Sequence, residues 1–220
     1  MDQPASLLKD IRARIDHAAR IARRDPADIT LIAVSKTHPA ERIAPLIGLG
    51  QTVFGENRVQ EAQGKWPALV EAHPDVELHL VGQLQSNKAD DAVALFDCIH
   101  SLDRPSLVTA LARSMDKAGK WLPCFVQVNI GEEDQKGGCP IADVPGLLKL
   151  ARDADIPLAG LMCVPPLGIE PAPFFALLAK MADDNGLAGL SMGMSGDFET
   201  AIMQGATHVR IGTALFGTRG

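Results

Sequence analysis

The sequence predicts an α/β fold, a single (β/α)8 barrel of the TIM type with an extra helix before the first strand. Eight short apolar segments recur along the 220 residues, and each is followed by a loop and a stretch with helical periodicity. No linker or break in composition divides the chain. Strands that alternate with helices form parallel sheets, and eight such units in about 200 residues fit a small closed barrel. A doubly wound open sheet is the alternative, because periodicity does not show closure.

The predicted strands are short apolar runs bounded by turn residues. They cover residues 30–35, 52–55, 78–82, 98–101, 124–129, 158–163, 187–191 and 208–212. Between them, apolar residues recur at helical spacing, as in Leu107, Leu111 and Met115. Residues 1–220 are therefore predicted to form one domain.

The first 25 residues predict an amphipathic helix that packs on the outside of the barrel. Leu8, Ile11 and Ile15 fall on one face of that helix. Asp2, Asp10 and Asp16 within it disfavour a mitochondrial targeting segment, and no apolar core of a signal peptide is present. The expected location is the cytoplasm.

Composition excludes several classes of protein. A net charge of −6 without a basic stripe disfavours nucleic-acid binding, and no apolar run reaches the roughly 20 residues of a membrane span. The four cysteines form no CxxC pair, which suits a reducing compartment. The six histidines lack an HExxH-like spacing, so no metal site is predicted.

One predicted strand delivers a lysine to the functional face of the fold. The run Leu31-Ile-Ala-Val-Ser-Lys36-Thr37 is mainly apolar before Lys36. The carboxyl ends of the strands form the active-site face of barrels and doubly wound sheets. A desolvated lysine there can attack an aldehyde or ketone and form a Schiff base. A surface lysine at the start of a loop is the structural alternative.

Two glycine-rich segments follow the seventh and eighth predicted strands. They read LSMGMSGD at 190–197 and VRIGTALFG at 209–217. Glycine, hydroxyl groups and the start of a helix suit a phosphate, and barrel enzymes often bind phosphate with these two loops. A helix N-cap by Ser195 or Asp197 is the alternative for the first segment. In the second, Arg210 within a barrel strand must face a carboxylate, a ligand or solvent.

A Schiff-base lysine and a phosphate site on one barrel together indicate a ligand with an aldehyde and a phosphate. Pyridoxal 5′-phosphate carries both groups. A Schiff-base aldolase that acts on phosphorylated sugars is an alternative, and it predicts a colourless protein, whereas bound pyridoxal phosphate gives a yellow one.

Seven motifs run in order from residue 33 to residue 217: AVSKT, FGENRVQE, HLVGQLQSNK, VNIGEEDQKGG, GLM, SMGMSGD and VRIGTALFG. On these motifs the chain resembles the pyridoxal phosphate homeostasis protein family, which is similar to the N-terminal barrel of alanine racemase, of fold-type III, without its second domain. The resemblance implies a cofactor joined to Lys36. It also implies that the cofactor-binding residues include Asn57, His79, Met194, Ser195, Arg210, Gly212 and Thr213.

Within this set, the resemblance places Ser195, Gly212 and Thr213 around the phosphate and Arg210 near the pyridine nitrogen. Asn57 and His79 would line the ring. Asn57 and Gln60 also have the spacing of a helix N-cap and its return partner.

His79 faces the side of its strand opposite to Leu78 and Leu80, so it could equally be a hydrogen-bonded core histidine. The chain departs from the family at Arg58, where tyrosine is common, and at its end, TRG, which lacks the usual aromatic residue.

The chain contains no tyrosine, which bears on catalysis. Racemases of this barrel type use the lysine and a tyrosine as acid and base on the two faces of the substrate. A cation at the pyridine nitrogen also weakens the ring as an electron sink. We therefore expect a monomeric pyridoxal-phosphate-binding protein that controls cofactor supply, with apo-enzymes as candidate partners. An amino-acid racemase of fold-type III is the main alternative.

Overall fold

The computed structural model describes residues 3–217, in which eight parallel strands close into one barrel in the order β1 to β8. The strands are β1 (Thr30–Val34), β2 (Val53–Glu56), β3 (Glu77–Leu80), β4 (Cys98–Leu102), β5 (Cys124–Val128), β6 (Leu158–Cys163), β7 (Gly189–Ser191) and β8 (His208–Ile211). Each predicted strand is present, with ends that differ by at most two residues.

The described helices lie before, between and after these strands. They are α1 (Gln3–Ile21), α2 (Ala40–Gly48), α3 (Val59–Ala72), α4 (Ala89–Leu95), α5 (Pro105–Ala118), α6 (Val144–Asp153), α7 (Ala172–Asp184), α8 (Phe198–Met203) and α9 (Thr213–Phe216). None of those in residues 3–217 has both the length and the hydropathy needed to span a lipid bilayer.

The barrel is closed by pairing between its first and last strands. Thr30 lies opposite His208, and Ala33 lies opposite Ile211. The predicted (β/α)8 barrel is therefore confirmed and the open-sheet alternative is wrong. Closure brings the lysine-bearing end of β1 next to the glycine-rich end of β8, as the functional prediction requires.

Helix α1 covers the seam between β1 and β8, because it packs against α2, α8 and α9. It buries Leu8, Ile11 and Ile15, the face that the sequence predicted. Arg14 forms a bidentate pair with Glu199 of α8, with N–O distances of 3.0 and 2.8 Å. The sequence did not predict α9, whose four residues are too few to cover the seam. The N-terminal helix lies where an eighth full helix would otherwise pack.

Two separate apolar clusters support the barrel. The larger lies between the strands and the surrounding helices, and the smaller, within the barrel, contains Cys98, Phe125 and Met162. The rest of the interior is unusually polar, with His79, His100, Ser191 and Arg210 buried there. Buried polar groups of this kind require hydrogen-bond partners, and their partners define the site described next.

Candidate functional site

Lys36 lies in a tight turn at the carboxyl end of β1, and its side chain is half-buried. The turn is closed by the His38 N–H, which donates to the Ser35 carbonyl at 3.1 Å. Thr37 adopts the left-handed conformation, with φ of 65°. This conformation is costly for a β-branched residue and persists only where the surroundings enforce it.

The turn around Lys36 is held from below by Lys65 of α3. The Lys65 ammonium donates to the carbonyl oxygens of Ser35 and His38, both at 2.9 Å, and so brackets Lys36. The backbone N–H of Thr37 donates to the Glu61 carboxylate. The strained turn is thereby fixed by two charged side chains of α3.

A buried carboxylate completes this support. Glu56, at the end of β2, is fully buried, and its Oε1 accepts hydrogen bonds from the Ser35 hydroxyl at 2.6 Å and from Trp66 Nε1 at 3.0 Å. Lys65 Nζ lies 2.9 Å from the same oxygen. The sequence motifs contained Ser35 and Glu56, but Lys65 was missed because only the packing of α3 brings it beneath the turn.

The other side of the turn contacts α9. The His38 ring stacks on Phe216 with ring centroids 4.8 Å apart, and Arg42 donates to the Phe216 carbonyl at 2.6 Å. Gly212, just before α9, lies beside Val34 of β1. The turn that contains Lys36 therefore lies next to the Gly212–Thr213 segment.

The two glycine-rich segments also meet each other. The Ser195 hydroxyl accepts a hydrogen bond from the Ala214 N–H at 3.4 Å, which joins the loop after β7 to α9. Asp197 is the N-cap residue of α8, but its side chain accepts from the Met194 N–H at 2.6 Å and not from the helix. The side-chain N-cap alternative for this loop is therefore wrong, and Asp197 instead closes the loop that presents Ser195.

Gly193 allows this loop to lie close to α8. Its φ is +92°, and a Cβ there would stand 2.6 Å from the Cβ of Ala201. Its carbonyl accepts from the Arg210 N–H at 2.9 Å. Met194, the next residue, is partly exposed and borders an open cleft of about 390 Å³ that the Pro165–Pro171 loop also lines. Within the loop, the backbone of Met194 is hydrogen-bonded to Asp197.

Arg210 lies inside the barrel and is buried. Its guanidinium donates to the Ser191 hydroxyl at 2.6 Å and to the Cys163 carbonyl at 2.8 Å. Both acceptors are neutral groups of the protein. The sequence analysis expected Arg210 to face a carboxylate, a ligand or solvent, and for these two nitrogens of the guanidinium that expectation is wrong. Burial lowers the pKa of Arg210 from its usual value, but a guanidinium keeps its proton at neutral pH.

His79 is a buried, hydrogen-bonded histidine of the barrel interior. Its Nδ1 lies 3.1 Å from Nε2 of His100, and the Nδ1 of His100 lies 2.8 Å from the Ser191 hydroxyl. His79 is level with Gly55 in the strand register, within the barrel rather than at its mouth. The sequence did not reveal His100, whose partner is 21 residues away.

Asn57 lies at the mouth of the barrel, directly after β2, and is half-buried. A Cβ at Gly82 would collide with the Asn57 carbonyl oxygen, so the ends of β2 and β3 are tightly packed here. Helix α3 begins at Val59 with Arg58 as its N-cap residue. The capping role considered for Asn57 and Gln60 is therefore wrong, because the helix starts one residue too late.

Inside the barrel, three side chains of the types that bind metal ions lie close together, although their spacing in the sequence did not predict a metal site. The ligand atoms of His79, Cys98 and His100 lie within 4.8 Å of one another. The two imidazoles are hydrogen-bonded to each other, and burial raises the pKa of the Cys98 thiol well above its usual value. Burial also raises the pKa of the Cys163 thiol to about 12, so it remains protonated at neutral pH.

The buried histidines predict a loss of stability in acid. Burial lowers the pKa of His79 and of His208 to about 4. Between about pH 6.5 and pH 4 the unfolded chain therefore binds protons that the folded chain does not, and stability falls as the pH falls through this window. Each of these imidazoles contributes about 3 kcal/mol over the whole window. Urea titrations at pH 7 and pH 4.5 measure the loss.

His208→Phe supplies the control for this prediction. It removes one of the titrating imidazoles, so the variant should lose less stability between pH 7 and pH 4.5 than the unchanged protein, by about 2 to 3 kcal/mol. Equal losses in the two proteins would show that His208 titrates normally in the folded state.

These elements define a class of protein, a (β/α)8 barrel with a clamped lysine at the end of β1 and a joined pair of glycine-rich loops after β7 and β8. Residues 8–220 match the family model described as the N-terminal domain of alanine racemase. A pyridoxal phosphate homeostasis protein of Pseudomonas aeruginosa is 39% identical over 225 residues, which cover 100% of this chain and 97% of the relative. The relative of the same name in Escherichia coli K12 is also 39% identical, with 100% and 98% covered.

A solved structure gives the same result. PipY of Synechococcus elongatus PCC7942, with pyridoxal phosphate bound, is 38% identical and superposes with a TM-score of 0.83, covering 98% of this chain and 100% of PipY. The chain belongs to the family of the pyridoxal phosphate homeostasis proteins.

Proposed function

We propose that this protein binds pyridoxal 5′-phosphate and serves in its homeostasis, with Lys36 as the covalent attachment residue and without robust catalysis. The observation that carries the proposal is the meeting of the Lys36 turn with the joined Ser195 and Gly212–Thr213 loops at one side of the barrel mouth. The names of the relatives and the bound ligand of PipY support the same cofactor.

The side chains at this mouth fit the cofactor chemically. The amine of the half-buried Lys36 suits an aldehyde, and the hydroxyl and backbone groups of Ser195, Gly212 and Thr213 suit a phosphate. Arg210 lies nearby with neutral hydrogen-bond partners, so its charge remains available to an acceptor on the ligand. Asn57 and Met194 complete the proposed set at the mouth, and His79 contributes from within the barrel.

Each group has a proposed task. Lys36 holds the aldehyde carbon, and the loops of Ser195 and Thr213 orient the phosphate. Arg210 donates to the pyridine nitrogen and so disfavours its protonation. When bound, the cofactor supplies a reactive aldehyde and a conjugated ring that can accept electrons. A ring that stays unprotonated accepts electrons poorly, which favours storage over turnover.

The absence of tyrosine from the sequence supports the non-catalytic assignment, because a racemase needs a second acid–base group opposite the lysine. We further propose a monomer in the cytoplasm that passes its cofactor to apo-enzymes. The cysteines at 98, 124, 139 and 163 are free and buried, which suits a reducing compartment.

The proposed function is tested with purified protein and added pyridoxal phosphate. We expect a yellow protein, and borohydride reduction followed by peptide mass mapping should place one pyridoxyl group on Lys36. Incubation with L- or D-alanine should give no multiple turnovers, and the loaded protein should reactivate a pyridoxal-phosphate-dependent apo-enzyme. Repeated racemisation would instead support the racemase alternative, and a colourless protein that cannot be labelled would exclude the proposal.

A further inference from the structure

A column of hydrogen bonds runs through the barrel interior beneath the proposed cofactor site. It begins at Arg210, whose guanidinium donates to the Ser191 hydroxyl at 2.6 Å. Ser191 contacts His100 at 2.8 Å, and His100 contacts His79 at 3.1 Å. The column ends at the exposed carboxylate of Glu77, 3.6 Å from Nε2 of His79. The column therefore joins residues of β8, β7, β4 and β3, and it reaches solvent at the amino end of β3.

The direction of the column follows from the inventory of donors and acceptors. A guanidinium only donates, so the Ser191 oxygen accepts from Arg210 and its own proton is free to point to Nδ1 of His100. His100 then carries its proton on Nε2 and donates to Nδ1 of His79. His79 in turn carries its proton on Nε2, toward Glu77. This assignment gives Ser191, His100 and His79 each a donor and an acceptor role that matches its neighbours.

We propose that Ser191, His100 and His79 are positioning residues for Arg210, which fix its guanidinium toward the cofactor without neutralising its charge. The proposal rests on the proposed binding of pyridoxal phosphate. In this arrangement the acceptor end of each group faces Arg210 and the donor end faces Glu77. The column thus stabilises a buried cation through aligned dipoles, and hydrogen bonds in such chains strengthen one another.

Neutral partners matter for the task of Arg210. A directly paired carboxylate would compete with the ligand for the guanidinium and would offset its field at the ring nitrogen. The hydroxyl of Ser191 and the carbonyl of Cys163 hold the group in place and leave the remaining N–H groups for the ligand. Burial keeps the imidazoles of the column uncharged at neutral pH, so they add no competing cation.

The first test needs no cofactor. Nitrogen-15 NMR of the histidine side chains distinguishes the two neutral tautomers. We expect His79 and His100 to carry the proton on Nε2, with Nδ1 unprotonated. A proton on Nδ1 of His100 would reverse the Ser191 contact and overturn the proposed direction of the column.

The second test measures cofactor binding in variants. Ser191→Ala and His100→Phe should each weaken pyridoxal phosphate binding about tenfold and shift the absorption maximum of the bound cofactor, because Arg210 loses its fixed position. The double variant should be little worse than either single variant, since both break one chain. Ser191→Thr keeps the hydroxyl and should restore the absorption maximum. Circular dichroism checks folding, and Ser191→Ala removes only one oxygen from the core.

His208→Phe is the matched control. His208 also lies in the barrel, with its ring 6.0 Å from that of His100, but its Nδ1 contacts the Thr207 hydroxyl at 2.8 Å and not the column. The control should bind and absorb like the unchanged protein. Column variants that match the control would overturn this inference and leave the proposed function standing. Failure of the unchanged protein to take up the cofactor would instead overturn the proposed function itself.

Discussion

Replacement of Lys36 by alanine should abolish the visible absorption band of the bound cofactor and all borohydride capture. The reason is that Lys36 is the lysine of the turn at the carboxyl end of β1, which lies beside the loops of Ser195 and Gly212. The phosphate contacts remain, so the variant should still bind pyridoxal phosphate, but at least about 100-fold more weakly, which corresponds to about 3 kcal/mol. Absorption titration and equilibrium dialysis measure the two effects separately.

Lys149→Ala serves as the control for nonspecific labelling. Lys149 is exposed on α6, and among residues 3–217 its ion-pair partner is Asp153. Its loss should change neither the band nor the capture. If the Lys36→Ala protein keeps a full absorption band and full labelling, another amine holds the cofactor and the assignment of the site is wrong.

Replacement of Lys65 by methionine should both destabilise the protein and weaken cofactor binding. It leaves the Glu56 carboxylate buried without its cation, and Glu56 Oε2 already has no hydrogen-bond partner among the described residues. Removal of one member of a buried ion pair typically costs about 3–5 kcal/mol. The same change frees the carbonyls of Ser35 and His38, so the Lys36 turn should loosen. Urea unfolding and cofactor titration measure both losses.

A second substitution separates these two effects. In the double variant Glu56→Gln/Lys65→Met the buried charge is gone, so most of the stability should return. Cofactor affinity should stay low, because the carbonyl oxygens that bracket Lys36 still lack their donor. Lys149→Met is the matched control and should change stability by less than about 0.5 kcal/mol. Recovery of affinity together with stability would show that Lys65 acts on binding through stability alone.

Much of the fold was predictable because its signals are local. Each strand is a short apolar run beside a turn, and each helix repeats its apolar residues at a regular spacing. No local pattern shows that a barrel is closed, because closure depends on pairing between the first and last strands. The eight repeats favoured a closed barrel over an open sheet without deciding between them. Helix α9 was missed because four residues are too few to show a period.

Site residues were predictable where a single short stretch of the sequence contains the functional groups. Lys36 at a strand end and the glycine-rich loops were recognisable along the chain, and contacts through Phe216 and Ala214 bring their segments together. Groups whose roles depend on distant partners were missed. Lys65 acts 30 residues from Ser35, and Ser191 meets His100 across 91 residues. The capping role considered for Asn57 was wrong for a local reason, because helix α3 begins one residue too late for it.

The position of α1 has a consequence for biosynthesis. Arg14 and its partner Glu199 are 185 residues apart, so α1 must wait for α8 before this ion pair can form. Contacts of such long range slow folding, because the chain must close a large loop first. The apolar face of α1 therefore stays largely uncovered until α8 and α9 have been made, and the ring of strands seals only when β8 pairs with β1.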